Sequence, residues 1–238
     1  MKHARGIFPA LLLGAGWALA SLGCGYVPEA PVPEPSASPS SVPPTSPVGP
    51  VGSPREFVTR AQETFRKAPG YRTELHYFQK KGDRTVRGVY DVTGRPGKAM
   101  RIVIVKGDSP GTRILWEGGK TAKVRPAGLL SPFVVTLDVT DDRLISIRGY
   151  TLDQFELGGI LGLYDDPAAR LVQAGLTGTV YQVAIASPNL FSGCKQLVMT
   201  FDARSFHPLT MQMRDDREPV VGMEIRNLRV TPEVDLTI

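Results

Sequence analysis

Nine short segments in which apolar and polar residues alternate, separated by turns rich in glycine, proline and aspartate or by less regular stretches, occupy much of the chain beyond residue 70. They are Tyr71–Gln79, Thr85–Val92, Ala99–Val105, Arg113–Trp116, Thr121–Arg125, Thr179–Ala186, Lys195–Phe201, Pro208–Met213 and Val220–Arg229. A period of two puts successive side chains on opposite faces of a strand, so each segment can bury one face and solvate the other. Val86, Gly88, Tyr90 and Val92 share a face while Arg87 and Asp91 take the other, and Met100, Ile102 and Ile104 likewise oppose Arg101. The turns Lys80-Lys81-Gly82-Asp83, Gly94-Arg95-Pro96-Gly97, Gly107-Asp108-Ser109-Pro110 and Gly118-Gly119 make the first five segments consecutive hairpins.

Two other patterns frame these strands. From Arg55 to Ala68, Phe57, Val58, Ala61, Phe65 and Ala68 recur at helical spacing before Pro69-Gly70, which predicts one amphipathic helix. Residues 127–150 are irregular, and Leu152 to Leu176 carries Phe155, Leu157, Ile160, Leu161, Leu163, Tyr164, Leu171 and Val172 at helix-like intervals broken by Gly158-Gly159 and Asp166-Pro167. Two short helices are expected there. The order of helix, about five strands, helical insert and about four strands predicts an α+β fold, an antiparallel sheet with helices on one face.

The N-terminal part differs in composition. Lys2, His3 and Arg5 precede an apolar run from Ile7 to Leu22, shorter than the ~20 residues that span a bilayer as a helix. Basic, then apolar, then small residues is the order of a secretory signal, predicted over residues 1–23. Its ending, Leu22-Gly23-Cys24, resembles a lipobox, which implies that Cys24 is acylated and becomes the mature N-terminus. The alternative is a secreted protein with a free thiol at Cys24. Two or three acyl chains anchor stably where one binds marginally. Residues 24–54 then form a linker: ten of the 21 prolines fall between Val27 and Pro54, a composition that builds no core. In polyproline II geometry at about 3.1 Å per residue it reaches roughly 90 Å from the membrane. The remaining cysteine, Cys194, reads as a small buried thiol.

Charge excludes one function class. Lys and Arg number 28 against 23 Asp and Glu, a net +5, and loss of Lys2 and Arg5 leaves about +3, too mild to imply a nucleic-acid partner. The basic residues Lys80, Lys81, Arg84, Arg87, Lys98, Arg101 and Lys106 cluster over neighbouring strands and turns and read as a solvated face or a rim for anionic head groups.

The catalytic inventory is poor. His76 and His207, the two histidines beyond the signal segment, have no second ligand at metal spacing, and HExxH, CxxC, GxSxG and Walker A motifs are missing from the sequence. Asp138, Asp141 and Asp142 form an acidic cluster that reads as a solvated turn with Arg143 as its counter-charge. Gly118-Gly119 precedes a strand, so it reads as a hairpin turn and not a phosphate loop. No enzyme activity, metal or cofactor is expected.

One face of every predicted strand is apolar, while little is available to cover it. A sheet of this size can enclose ligand space, and the methionines at 199, 211, 213 and 223 offer an adaptable lining. In its element order, in the hairpin Ile114 to Val124, and in the stretches Leu197-Val198-Met199-Thr200-Phe201-Asp202 and His207-Pro208-Leu209-Thr210-Met211-Gln212-Met213, the region 55–238 resembles the LolA/LolB-like superfamily of bacterial lipoprotein carriers. That resemblance implies an incomplete antiparallel β-barrel of about 9–11 strands with an N-terminal helix and a central helical lid, whose apolar cavity receives acyl chains of a lipid or lipoprotein. The cavity is expected to be lined by Tyr90, Met100, Ile102, Ile104, Trp116, Phe155, Leu161, Tyr181, Val183, Met199, Phe201, Met211, Met213 and Met223. Gly158-Gly159 and Pro167 are candidate hinges, and Leu129-Leu130 the candidate membrane-insertion loop.

Cys24 groups the chain with the anchored members of that superfamily, in the bacterial cell envelope, and Gly25 after it points to an outer membrane, facing the periplasm, where one exists. The partners expected are acyl chains, the membrane through Cys24, and a protein of the envelope. A second reading is a sensor or scaffold of the same fold that works by surface contact, for which a filled interior would speak.

Overall fold

The computed structural model describes residues 52–238. The signal segment, Cys24 and the linker up to residue 51 lie outside the described residues.

The domain opens with α1 (Pro54–Lys67), whose start is fixed locally. Ser53 Oγ accepts from the Glu56 amide at 3.3 Å, and the Glu56 carboxylate accepts from the Ser53 amide at 2.7 Å. Pro54 occupies a first-turn position where a missing N–H costs nothing. The helix buries Phe57, Val58, Ala61, Gln62 and Phe65, the stripe expected from its spacing.

Eleven strands follow in one antiparallel sheet: β1 (Tyr71–Lys81), β2 (Arg84–Arg95), β3 (Ala99–Lys106), β4 (Arg113–Trp116), β5 (Thr121–Arg125), β6 (Val135–Asp138), β7 (Arg170–Thr177), β8 (Val180–Ala186), β9 (Gln196–Asp202), β10 (Pro208–Arg214) and β11 (Pro219–Val230). Their spatial order is β6-β5-β4-β3-β2-β1-β11-β10-β9-β8-β7. The sheet is therefore two meanders joined down the middle, where Tyr71 to Gln79 of β1 pair with Val230 to Val221 of β11. Since β6 and β7 do not pair with each other, the barrel is incomplete, with a free edge at each side.

This topology dictates the lid. The first meander ends at one edge, on β6, and the second begins at the other, on β7, so residues 139–169 must travel from edge to edge. They do so with two short helices, α2 (Leu152–Phe155) and α3 (Leu157–Gly162), and with Tyr150, Leu152, Leu157, Ile160 and Leu161 buried in the same core cluster as the sheet's apolar residues.

Two strands depart from the sequence reading. β6 lies in the stretch read as irregular, and only Leu137 of its four residues is buried, so alternation gave almost no signal. β7 was expected to continue the helical insert, because Leu171, Val172 and Leu176 are spaced like a helix face. As an edge strand paired with β8 alone it is exposed along nearly its whole length, and it joins β8 through Gly178 at φ +60°.

Candidate functional site

Cross-strand register arranges the inner face of the sheet in rows. One row runs Tyr77, Met223, Met211, Met199, Val183 from β1 through β11, β10 and β9 to β8. Beside it lies Gln79, Val221, Met213, Leu197, Ile185. On the other half, Met100, Trp116, Ala122 and Leu137 form a row across β3 to β6. All of these but Tyr77 are buried.

The structure brings Met100, Trp116, Leu161, Tyr181, Val183, Met199, Phe201, Met211, Met213 and Met223 into one core cluster, with Tyr90, Ile102 and Phe155 half-buried against it. Ile104 is half-buried on β3, opposite Tyr90. They do not line an open cavity. Met199 and Phe201 are 0% exposed, and Phe57 of α1 stacks on Tyr181 at 4.0 Å and meets Phe201 edge-on at 5.7 Å. The void beneath the lid, between Tyr150, Gln154, Phe155, Ile160, Phe191, Met211, Met213 and Val221, measures about 10 Å³. That is room for one water at most, against the hundreds of Å³ of a ligand pocket.

The plug is aromatic. Phe155 packs edge-on to Tyr77 at 5.2 Å and to Tyr150 at 5.3 Å, and Tyr150 meets Phe191 at 5.5 Å. Polar contacts fasten it at five places. Arg148 donates to the Lys80 carbonyl at 2.6 Å, Gln62 of α1 donates to the Leu161 carbonyl at 2.9 Å, and the Tyr164 hydroxyl donates to the Val183 carbonyl at 3.1 Å. Asp166 accepts from Ser187 Oγ and from Asn189 Nδ2, and Glu156 accepts from the Tyr71 hydroxyl. Gly158 and Gly159 lie inside α3 and not in a hinge loop: a Cβ at Gly158 would meet the Glu156 carboxylate at 2.6 Å, and one at Gly159 the Asp153 carbonyl at 2.8 Å.

Several residues of this site escaped the sequence reading. Glu156 is 1% exposed. Burial pushes its carboxyl above the usual carboxylate range, against hydrogen bonds from the Gly159, Gly97 and Gly158 amides and the Tyr71 hydroxyl. Tyr77 and Tyr150 are held protonated, chiefly by burial. An acidic residue before Gly-x-x-Gly-like spacing has no distinctive signature, and Tyr77 read simply as strand alternation.

The rejected catalytic groups sit in bland surroundings. His76 Nε2 is 2.6 Å from Glu74 Oε1 on the outer face. Asp141 is held down at about 2, first by hydrogen bonds from the Arg143 side chain, and Asp138 accepts from the Thr140 amide and hydroxyl. Among the described residues no group of three His, Cys, Asp or Glu is arranged to hold a metal, and no helix is long and apolar enough to cross a membrane. Cys194 is free and buried, its Sγ 3.5 Å from the Tyr150 hydroxyl.

A second feature lies between β5 and β6. Leu129 is 99% exposed, and Leu130, Phe133, Val134 and Val135 are exposed with it. At the foot of this apolar loop a surface recess of about 380 Å³ is lined by Arg113, Arg125 and Ser131, with Pro110, Gly111 and Pro126 to Gly128.

No protein-family model and no curated protein matches the chain. Solved structures do. An uncharacterized conserved protein from Thermus thermophilus aligns over 74% of this chain and 86% of its own at 12% identity and a TM-score of 0.46. A LolA superfamily protein from Nitrosomonas europaea aligns over 74% and 93% at 8% identity and a TM-score of 0.39. A chain of the Pseudomonas aeruginosa MucA/MucB complex aligns over 73% and 56% at 13% identity and a TM-score of 0.39.

Proposed function

We infer that the protein is a lipid-anchored module of the bacterial envelope that takes an acyl chain into the inner trough in exchange for the two short helices of its lid, and carries or presents that chain without covalent chemistry. The observation that carries this reading is the plug. The inner face of the sheet is covered by α1 on one part and by residues 139–169 on the other. With four and six residues, α2 and α3 are far below the ~12 residues at which a helix holds in water by itself. Their order depends on apolar contacts that an acyl chain can replace, at about 0.8 kcal/mol for each buried CH₂. The methionine row beneath them can re-pack around a guest.

The apolar loop at Leu129 suits transfer at a bilayer. Leu129, Leu130 and Phe133 would enter the acyl boundary, with Arg113 and Arg125 at head-group level. Purifying the full chain under native conditions and extracting it for lipid mass spectrometry tests the reading. Stoichiometric acyl cargo supports it. A lipid-free protein that takes up no fluorescent fatty acid sinks it, as does a folded Met199→Asp, Met211→Asp double variant that still retains lipid.

The filled interior favours a second reading, a sensor or scaffold of the same fold acting through protein contact. The free edge of β7, with Leu171 and Val172 exposed, offers a partner a strand to extend.

A further inference from the structure

We propose that the polar end of the trough, formed by Tyr77, Gln79, Arg148 and Tyr150, seats the anionic head, a carboxylate or a phosphate, of the amphiphile whose chain lies along the methionine row. The proposal rests on the acyl-binding reading above and deepens it.

Strand alternation puts Tyr77 and Gln79 on the inner face two residues apart, at the end of β1. Gln79 is 1% exposed, yet its Nε2 has no hydrogen-bond partner; neither has the Tyr77 hydroxyl. Both are donors held away from water with nothing to donate to. Such groups are rare in packed interiors, where nearly every polar atom is satisfied.

Two further donors converge from the lid. Arg148 extends its guanidinium to the Lys80 carbonyl, one residue beyond Gln79, and to within 4.0 Å of Cys194 Sγ. Tyr150 faces Cys194 Sγ at 3.5 Å and Met213 Sδ at 3.9 Å. Sulfur is a weak acceptor. Asp215, in the turn after β10, is a counter-charge to Arg148, and Asp108, in the turn after β3, acts on the neighbouring Tyr90. Amide, two phenols and guanidinium form a donor-rich end.

An ionised carboxylate or phosphate is acceptor-only and answers that set; a hydroxyl answers it in part, and an ammonium head would face Arg148. The geometry also supplies the tail. The row starting at Tyr77 crosses five strands to Val183, about 19 Å at ~4.8 Å per strand, a bed for a long extended chain. Phe155, stacked edge-on against Tyr77, lies over its head end.

The test uses the full chain and displacement of a fluorescent polyene fatty acid. Hexadecanoate and hexadecyl phosphate should compete at least about tenfold better than hexadecanol, with hexadecyltrimethylammonium weakest and acetate or inorganic phosphate alone ineffective. Tyr77→Phe keeps the ring against Phe155, and Gln79→Met keeps the length of the side chain. Each should cut the preference for the anionic head several-fold while hexadecanol binding stays unchanged, and Arg148→Gln should remove most of it. Equal binding of acid and alcohol, or a preference that survives all three substitutions, overturns the assignment while leaving acyl binding intact. Displacement by acetate or phosphate alone overturns it in favour of a free-anion site. Failure of every amphiphile to bind removes the acyl-binding reading itself.

Discussion

The hydroxyl of Tyr71, on the first strand, lies 3.3 Å from a carboxylate oxygen of Glu156, in the lid 85 residues later, and both groups are buried. Glu156 caps α3 by accepting from the Gly159 amide at 3.0 Å. One carboxyl therefore ends the local structure of the lid and ties it to the sheet. Removing it in Glu156→Ala leaves the buried Tyr71 hydroxyl without its acceptor and α3 without its cap, a cost of about 2–3 kcal/mol in denaturant unfolding.

The same group sets a pH dependence. Because burial raises its proton affinity in the folded state, the stability it contributes is complete below the unfolded carboxylate range, about 4.3, and is lost as pH rises through the higher folded value. Half-buried Asp141, held at about 2 by Arg143, works in the opposite sense and only at more acidic pH. Unfolding of the wild type and of Glu156→Gln should therefore be compared from pH 4 to 7. The wild type should lose stability relative to the variant as pH rises; a constant difference would show that the carboxyl does not titrate abnormally.

Tyr71 is held from its other side by a glycine. Gly94 is its cross-strand partner on β2, and a Cβ there would stand 2.8 Å from the phenol ring and 2.9 Å from the Ala99 carbonyl. Gly94→Ala must move the ring, and with it the contact to Glu156. A loss of about 1–3 kcal/mol is expected, with faster hydrogen exchange in residues 152–162 than in β8 and β9. Unchanged exchange in the lid would mean that Tyr71 does not transmit the strain.

Strand identity was legible in the sequence wherever one face is buried. Val86, Tyr90 and Val92, or Leu197, Met199 and Phe201, alternate against neighbours that are mostly polar, because the inner face is packed and the outer face wet. β6 and β7 escaped because these edge strands are exposed along almost their whole length, which removes the contrast that alternation reports. The inward residues were legible as a set for the same reason. What filled the space between them was not, because the lid's position follows from strand order, and strand order depends on pairing between β1 and β11, which are far apart in the chain. Glu156 and the Gln79–Arg148 end are products of that long-range closure.

The apolar loop between β5 and β6 separates stability from membrane contact. Leu129 touches almost nothing of its own domain, so Leu129→Asp should change unfolding free energy by less than about 0.5 kcal/mol. If the loop enters a bilayer, the same substitution in a Cys24→Ala background should weaken co-sedimentation with anionic phospholipid vesicles by tenfold or more, the worth of one buried leucine. Unaltered vesicle binding would assign the loop another role.

Phe155 tests whether the lid and a guest compete for one space. It is half-buried, between Tyr77 and Tyr150 at 5.2 and 5.3 Å, and it borders the void of about 10 Å³ under the lid. Phe155→Ala removes one of the lid's rings at that point, and a loss of about 2–3 kcal/mol is expected, below that of a fully buried ring. If the trough is an acyl site, the vacated volume lowers the cost of admitting a chain, and the variant should bind a fluorescent fatty acid several-fold more tightly than the wild type while being less stable. Affinity and stability moving in opposite directions is the signature of a plug. A scaffold whose interior is simply a core predicts lower stability with no gain in uptake, so one pair of titrations on two proteins separates the two readings.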